Sequence, residues 1–189
     1  MSDKTLVLSL ARLPRALGST LHEDLVWVTP DDLGTPSMSA VPGVPLDISV
    51  DMTSVEDGVL VSLATSVDLV GECVRCLDEV REHHDVVSQE VYFEPGAPAL
   101  TSADDEGEEA DDLFVIGEHD TIDIETQLRD AIVPLVDPRP LCSDDCAGLC
   151  DVCGEKWADL PEDHEHFVVD PRLASLASLL GEDGESERS

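Results

Sequence analysis

Six cysteines constrain the fold of this chain more than any other feature of its sequence. One pair has the spacing C-x2-C, and after 65 intervening residues comes the run C-x3-C-x3-C-x2-C. In chain order they are Cys73, Cys76, Cys142, Cys146, Cys150 and Cys153. Two C-x2-C pairs on separate turns are typical of zinc-ribbon-like sites, because each tight turn presents two thiolates to a tetrahedral ion. Such an ion would tie an irregular C-terminal segment to the rest of the protein.

Two histidines extend the set of candidate ligands. His164 and His166 flank Glu165, with ten residues between Cys153 and His164. One division of the ligands puts Cys73, Cys76, Cys142 and Cys146 on a first ion and Cys150, Cys153, His164 and His166 on a second. The other division makes one ribbon from the two C-x2-C pairs and leaves Cys142 and Cys146 unused. The sequence predicts structural zinc, as one ion or two, and does not choose between these divisions.

The surroundings of the cysteine pairs favour a structural ion over redox or catalytic chemistry. Gly154 follows the second pair and can adopt the positive φ that lets backbone amides point at sulfur. Arg75 lies inside the first pair, where it can offset the negative charge that four thiolates leave on zinc. A redox C-x-x-C begins a helix, whereas the first pair follows a strand pattern. A catalytic zinc keeps one ligand position open, which an all-cysteine site does not provide.

Alternating apolar residues predict a strand-rich body over roughly residues 1–100. Around the turn VEDG the alternating set is Val44, Leu46, Ile48, Val50, Met52, Val59, Val61, Leu63, Val67 and Leu69. Period two with β-branched side chains is typical of half-buried antiparallel strands. DVVSQEVYF predicts a further strand with Val87, Val91 and Phe93 on its apolar face, and LVLSLARL another near the N-terminus. The first cysteine pair then lies in a hairpin turn between two strands.

Helical spacing follows an acidic break. Residues 94–112 are rich in Asp and Glu and poor in apolar side chains, which predicts a disordered loop. In TIDIETQLRDAIVPLV, one helical face carries Ile124, Leu128, Ile132 and Leu135. Thr121 or Asp123 would cap this helix, and Pro134 would bend or end it. DPRLASLASLL predicts a second short helix with Asp170 as its cap, and residues 181–189 a disordered tail.

These elements together predict an α+β fold. Its body is antiparallel and strand-rich, a meander or partial barrel, with two or three short helices and a C-terminal cysteine-rich segment like a zinc knuckle. A single domain of residues 1–180, interrupted by the acidic loop, accommodates all of them.

The charge of the chain bears on its partners. It carries 43 acidic and 10 basic residues, for a formal net charge of −33. Nucleic-acid affinity rests largely on Lys and Arg displacing counterions, so this charge disfavours direct RNA contact and favours a basic partner. An alternative interpretation of equal weight is that the acidity reflects the proteome or the saline cytoplasm of the source.

The N-terminal sequence predicts a cytoplasmic protein. The apolar run in MSDKTLVLSLARLPRALG is short and broken by Arg12, Pro14 and Arg15, unlike a signal peptide. No apolar stretch approaches the roughly 20 residues that span a bilayer, so no membrane association is expected. In a reducing compartment, clustered cysteines bind metals or act in catalysis more often than they form disulfides.

The order of these features resembles the YceD family, the bacterial and plastid proteins named for large-subunit ribosomal RNA accumulation. The resemblance covers about residues 5–180. It rests on a strand-rich half ending in CVRCL, an acidic interruption, a helix running into PLCSDDCAGLCDVCG, and the closing VDPRLASLASLL. It implies a role in making or maintaining the large ribosomal subunit, without enzymatic activity. Where cysteine-richer members carry a late C-x-C, this chain has His164-Glu165-His166.

Two functional hypotheses follow. The first is a non-enzymatic biogenesis factor that binds a basic ribosomal protein or a large-subunit precursor. The second is a zinc-dependent module that binds ribosomal RNA directly. Its basic candidates are Arg75, Arg81, Arg129, Arg139, Lys156 and Arg172, which would have to converge on one face. Aromatic platforms for base stacking are scarce, although Trp157 lies near the second cysteine pair.

An enzyme is the least favoured class. The sequence has no Ser/His/Asp set and no phosphate-binding glycine loop, so no small-molecule substrate is expected. The partner, the maturation step and the oligomeric state are left open by the sequence.

Overall fold

A computed structural model describes residues 6–98, 100 and 113–166. The chain divides into two compact units, the first ending at Cys146 and the second beginning at Ala147. All the strands in the described residues lie in the first unit, where they form two antiparallel sheets.

The larger sheet is built on β5, which has partners on both edges. Its strands are β2 (Thr20–Val28), β3 (Met38–Ala40), β4 (Pro45–Val55), β5 (Gly58–Glu72) and β6 (Glu79–Phe93). β6 pairs with β5 along its whole length. On the other edge, β4 pairs with the first half of β5 and β3 with residues 69–71, and β2 lies outside β4. The predicted antiparallel body is confirmed, with β4, β5 and β6 as a meander.

The turns of this meander lie where the sequence predicts them. Val55 and Gly58 face each other across the two-residue turn Glu56-Asp57 within VEDG. At the other end of β5, Glu72 pairs with Glu79, so residues 73–78 form the turn to β6. The first cysteine pair therefore lies at a hairpin tip, as predicted.

A second sheet and a helix complete the first unit. β1 (Val7–Ser9) pairs with β7 (Thr121–Asp123), and α1 (Glu125–Ile132) follows β7 directly. The N-cap residue of α1 is Ile124, which makes no side-chain cap hydrogen bond, and Asp123 just before it accepts the backbone N–H of Glu125 through Oδ1 at 3.0 Å. Both predicted caps, Thr121 and Asp123, lie in β7. Pro134 lies in the 3-10 turn Val133–Leu135 that ends the helix, as its missing N–H would require.

The core lies between α1, the small sheet and one face of the large sheet. The alternating residues of β4 and β5 from Leu46 to Leu69 are buried as predicted. Val44 is an exception, because it precedes β4 and is 39% exposed. On α1, Ile124, Leu128 and Ile132 are buried. Gln127 is also buried, and its Nε2 donates to the Val61 carbonyl at 3.2 Å.

The prediction of which face of β6 is buried is wrong. Val87, Val91 and Phe93 share a face, but it is the more exposed one, and Val87 is 73% exposed. The buried residues of β6 are Val80, Val86 and Tyr92. Register explains the difference, since Tyr92 lies opposite buried Val59 and cross-strand partners share a face. The neighbouring strand therefore decides which face of β6 enters the core.

Other predictions fall partly outside the described residues. The predicted helix DPRLASLASLL, the tail at 181–189 and most of the acidic loop lie there. The single-domain boundary at residue 180 stays a prediction. Among the described helices, none is both long and apolar enough to span a membrane.

Candidate metal centres

The first C-x2-C pair forms a tight knuckle at the tip of the β5–β6 hairpin. The N–H of Cys73 donates to the Asp78 carbonyl at 2.7 Å, and the N–H of Leu77 donates to the Cys73 carbonyl at 2.9 Å. Leu77 closes the turn with φ of 63°, a left-handed conformation that is costly for a residue with a Cβ. This backbone presents Cys73 and Cys76 to the same point.

A distant segment reaches this knuckle and adds two cysteines. The N–H of Val74 donates to the Pro140 carbonyl at 3.0 Å. Arg75 donates through Nη1 to the carbonyls of Asp144 at 3.2 Å and Cys146 at 2.9 Å. Arg75 therefore clamps the 142–146 segment onto the hairpin tip, a more specific role than the charge compensation that the sequence indicates.

The four thiols of the first unit form a set that we call the four-cysteine group: Cys73, Cys76, Cys142 and Cys146. Their sulfurs all lie within 4.8 Å of one another, and the Cys73–Cys146 and Cys76–Cys142 sulfurs are 3.8 and 3.5 Å apart. A tetrahedral zinc with bonds of about 2.3 Å requires sulfurs about 3.8 Å apart. The Cys73–Cys146 and Cys76–Cys142 separations are close to this value, so the group could hold a tetrahedral ion.

The acidities of these thiols differ because their surroundings differ. Burial raises the pKa of Cys73, but N–H groups of Cys142, Arg75 and Cys76 that point at its sulfur outweigh burial and bring the pKa to about 6. For Cys76, a backbone hydrogen bond at Asp78 lowers the pKa, yet burial and the neighbouring thiols raise it overall. Cys73 is thus more acidic than an ordinary thiol and Cys76 less so, and a bound cation would replace thiol protons.

The second C-x2-C pair repeats the same knuckle in the second unit. The N–H of Cys150 donates to the Glu155 carbonyl at 2.7 Å, and the N–H of Gly154 donates to the Cys150 carbonyl at 2.8 Å. Gly154 has φ of 76°, the positive φ that the sequence predicts. N–H groups of Cys153 and Val152 lower the pKa of Cys150, so backbone amides point at this sulfur as expected.

Four side chains converge at this second knuckle, and we call them the cysteine–histidine group: Cys150, Cys153, His164 and His166. Their ligand atoms lie within 4.8 Å of one another, and the Cys153 sulfur is 3.5 Å from Nε2 of His164. A tetrahedral zinc with one Zn–S and one Zn–N bond would hold these atoms about 3.5 Å apart. The ring of Trp157 meets His164 edge-on, with centroids 5.5 Å apart.

The structure brings the eight predicted ligands together in two sets of four, each within one unit. These sets are the first of the two divisions that the sequence leaves open. Two groups could thus hold a metal ion, and the soft sulfur and imidazole donors suit zinc. Three histidines outside the groups face carboxylates: His22 bonds Asp51 at 2.8 Å, His83 bonds Asp68 at 2.7 Å, and His84 bonds Glu82 at 3.1 Å.

Sequence reasoning missed the acidic residue that closes each knuckle. Asp78 and Glu155 occupy the same position relative to their first cysteine, and each accepts that cysteine's N–H through its backbone carbonyl. The signal was present, because CVRCLD and CDVCGE align without a gap. Aligning them would have placed Leu77 opposite Gly154 and predicted its positive φ.

Comparison with known proteins adds a family. The model of the family described as "Large ribosomal RNA subunit accumulation protein YceD" matches residues 61–180. Uncharacterized proteins of Mycobacterium tuberculosis and Mycobacterium bovis are 33% identical over 183 residues, covering 97% of this chain and 85% of theirs. The uncharacterized protein YlbN of Bacillus subtilis is 35% identical over 79 residues, 41% of this chain and 45% of its own. No solved structure matches the chain.

Proposed function

Because the chain belongs to the YceD family, we propose that it is a cytoplasmic, non-enzymatic factor in large ribosomal subunit accumulation that binds a basic protein partner. The proposed role in ribosomal subunit accumulation rests on the name of the family. The proposal of a basic partner rests on the net charge of the chain, −33, since ribosomal proteins are basic.

The placement of the arginines supports a protein partner over RNA. Among the described residues, five arginines are already held by acids or backbone carbonyls. Arg12 pairs with Glu23, Arg15 with Glu94 and Asp120, Arg81 with Glu79, and Arg129 with Glu125 and Asp32, while Arg75 binds two carbonyls. An RNA-binding face would need such cations directed outward together.

The solvent face of the large sheet supports the same partner. Cross-strand register puts exposed aspartates on this face from four strands: Asp24, Asp47, Asp51, Asp68 and Asp85. Exposed valines, Val26 and Val87, lie among them. A broad anionic face with apolar patches suits a cationic protein segment with apolar side chains of its own.

Zinc has a structural role in this proposal. Bound to the four-cysteine group, it would join the hairpin tip to the 142–146 segment. Bound to the cysteine–histidine group, it would join the second knuckle to the two histidines. A fully ligated ion supplies cross-linking and no open position for substrate.

A tagged pull-down from native cytosol, with and without ribonuclease, tests the function. We expect a basic ribosomal protein that stays bound after ribonuclease treatment. A variant with Asp24, Asp47, Asp68 and Asp85 changed to Asn should lose it. A control with Asp31 and Asp130 changed to Asn and Glu56 and Glu118 changed to Gln removes equal charge elsewhere and should keep it. Recovery of large-subunit components only while RNA is intact would overturn the basic-partner proposal and favour RNA binding.

A further inference from the structure

The two candidate metal groups differ in what holds their surroundings together. In the first unit, apolar side chains from Leu6 to Val136 are buried around two sheets and a helix. Among residues 147–166, the described part of the second unit, Cys150 is the one buried apolar side chain. The one apolar side chain that is buried in residues 147–166 is therefore a candidate metal ligand.

The backbone supports of the two groups differ in the same direction. The four-cysteine group lies on a hairpin whose strands pair along their whole length, and Arg75 and Val74 bind the segment that carries its other half. Around the cysteine–histidine group, the backbone hydrogen bonds between described residues are local. Gly148 accepts the N–H of Trp157 at 3.0 Å, and His164 donates its N–H to Pro161 at 3.0 Å. These bonds close turns within residues 148–164.

Access to the two groups differs as well. In the four-cysteine group Cys142 alone is exposed, whereas in the cysteine–histidine group both Cys153 and His166 are exposed. Two of the four candidate ligands of the second group are thus exposed residues, against one in the first group. Exchange of a bound ion begins with the replacement of one ligand, so the second group offers the easier route.

We propose that residues 147–166 form a zinc-responsive segment. The cysteine–histidine group exchanges its ion with the surrounding zinc pool, and residues 147–166 are ordered only while the ion is held. The four-cysteine group keeps its ion and remains part of the permanent fold. Where a segment lacks an apolar core, the free energy of metal binding becomes its folding free energy. This proposal rests on the structural zinc of the proposed function and adds to it a graded response to zinc supply.

Stepwise chelation of the reduced, zinc-loaded full chain tests the proposal. Zinc content is counted by native mass spectrometry while EDTA is raised, and amide hydrogen exchange is read peptide by peptide. We expect two ions, with the first lost at an EDTA concentration about tenfold lower than the second, in line with the effect of surrounding hydrogen bonds on metal affinity. Peptides from 147–166 should lose protection with the first ion, and those from β5 and β6 should not. Adding zinc back should restore the protection.

Two matched variants identify which group releases its ion first. Cys142→Ser and Cys153→Ser each remove an exposed thiol, one from each group. Cys153→Ser should retain one ion and exchange rapidly within 147–166 while β5 and β6 stay protected. Cys142→Ser should lose the tightly held ion. Simultaneous loss of both ions, or continued protection of 147–166 in the one-ion state, would overturn the proposal.

Other outcomes separate this proposal from the function on which it rests. A reduced, folded chain that binds no zinc at all would overturn the structural zinc itself. If the pull-down recovers no basic partner while both ions are present and leave in the expected order, the proposal of a basic partner is wrong. The proposed zinc response would then remain.

Discussion

Both C-x2-C turns have the same backbone, yet they stand in different structures. In each turn the first cysteine donates its N–H to the backbone carbonyl of an acidic residue five positions later. Its own carbonyl accepts the N–H of the residue four positions later, which has a positive φ. One turn lies at the tip of a long hairpin, where the sulfur of Cys76 lies beside that of Cys142, 66 positions later in the chain. The other recruits histidines from its own neighbourhood. A knuckle is thus a local structure, whereas its structural consequence depends on what it cross-links.

The largest expected effect comes from changing the buried cysteine that leads each knuckle. Cys73→Ser should lower the free energy of unfolding of the first unit by about 4 kcal/mol, as loss of a structural metal does. Cys150→Ser, the matched change in the second knuckle, should leave that transition within about 0.5 kcal/mol of the wild type. Urea unfolding followed by circular dichroism of the sheet measures both. Equal effects would mean that the two knuckles contribute alike to the sheet.

Arg75 provides a second way to separate the groups. Arg75→Ala removes the donors to the carbonyls of Asp144 and Cys146, so zinc affinity at the four-cysteine group should fall about tenfold. Arg139→Ala, which removes an exposed arginine, is the control. Competition with a chromogenic chelator measures the affinity at each group. Unchanged affinity would show that the clamp is unnecessary once the ion is bound.

Exchanging the residues at the positive-φ positions tests the likeness of the two turns. Leu77→Gly should stabilise the first unit by up to about 1 kcal/mol, because Leu77 has φ of 63° and is 61% exposed. Gly154→Ala should weaken zinc binding at the second knuckle, since its φ is 76° while the space around it is open. Thermal unfolding measures the first effect and zinc titration the second. Destabilisation by Leu77→Gly would mean that contacts of the leucine outweigh its strain.

The histidines give the smallest effect. Hydrogen bonds to Asp51 and Asp68 raise the pKa of His22 and His83, respectively. A raised pKa stabilises the folded state at pH below the unfolded value of about 6.5, and the contribution is lost as pH rises through the folded pKa. Asp51→Asn should return the pKa of His22 toward 6.5.

NMR of the imidazole signals measures this and sharpens the comparison between the units. Removing zinc should shift the signals of His164 and His166 and leave those of His22 and His83 unchanged. A response of His22 or His83 to zinc removal would place zinc outside the two groups.

β4, β5, the hairpin tip and α1 were predictable because each depends on a short-range pattern, whereas β2 and β3 were not predicted. Alternation in β4 and β5 marks their buried faces, and Pro134 marks the end of α1. β6 could not be read in this way, because apolar residues occur on both of its faces and pairing with β5 selects one of them. Burial of Gln127 was equally unpredictable, since its partner is the distant Val61 carbonyl.

The sequence by itself determined the eight candidate ligands and the shape of both knuckles, because a C-x2-C turn closes through backbone hydrogen bonds within six residues. It left open which candidate ligands come together, since thiols separated by scores of residues meet only when strands and segments are placed. The tertiary structure decided that question by carrying Cys142 and Cys146 to the hairpin tip, where Arg75 binds their segment in place. The histidines complete the other group through turns within their own segment, so one group belongs to the folded sheet and the other to the second unit.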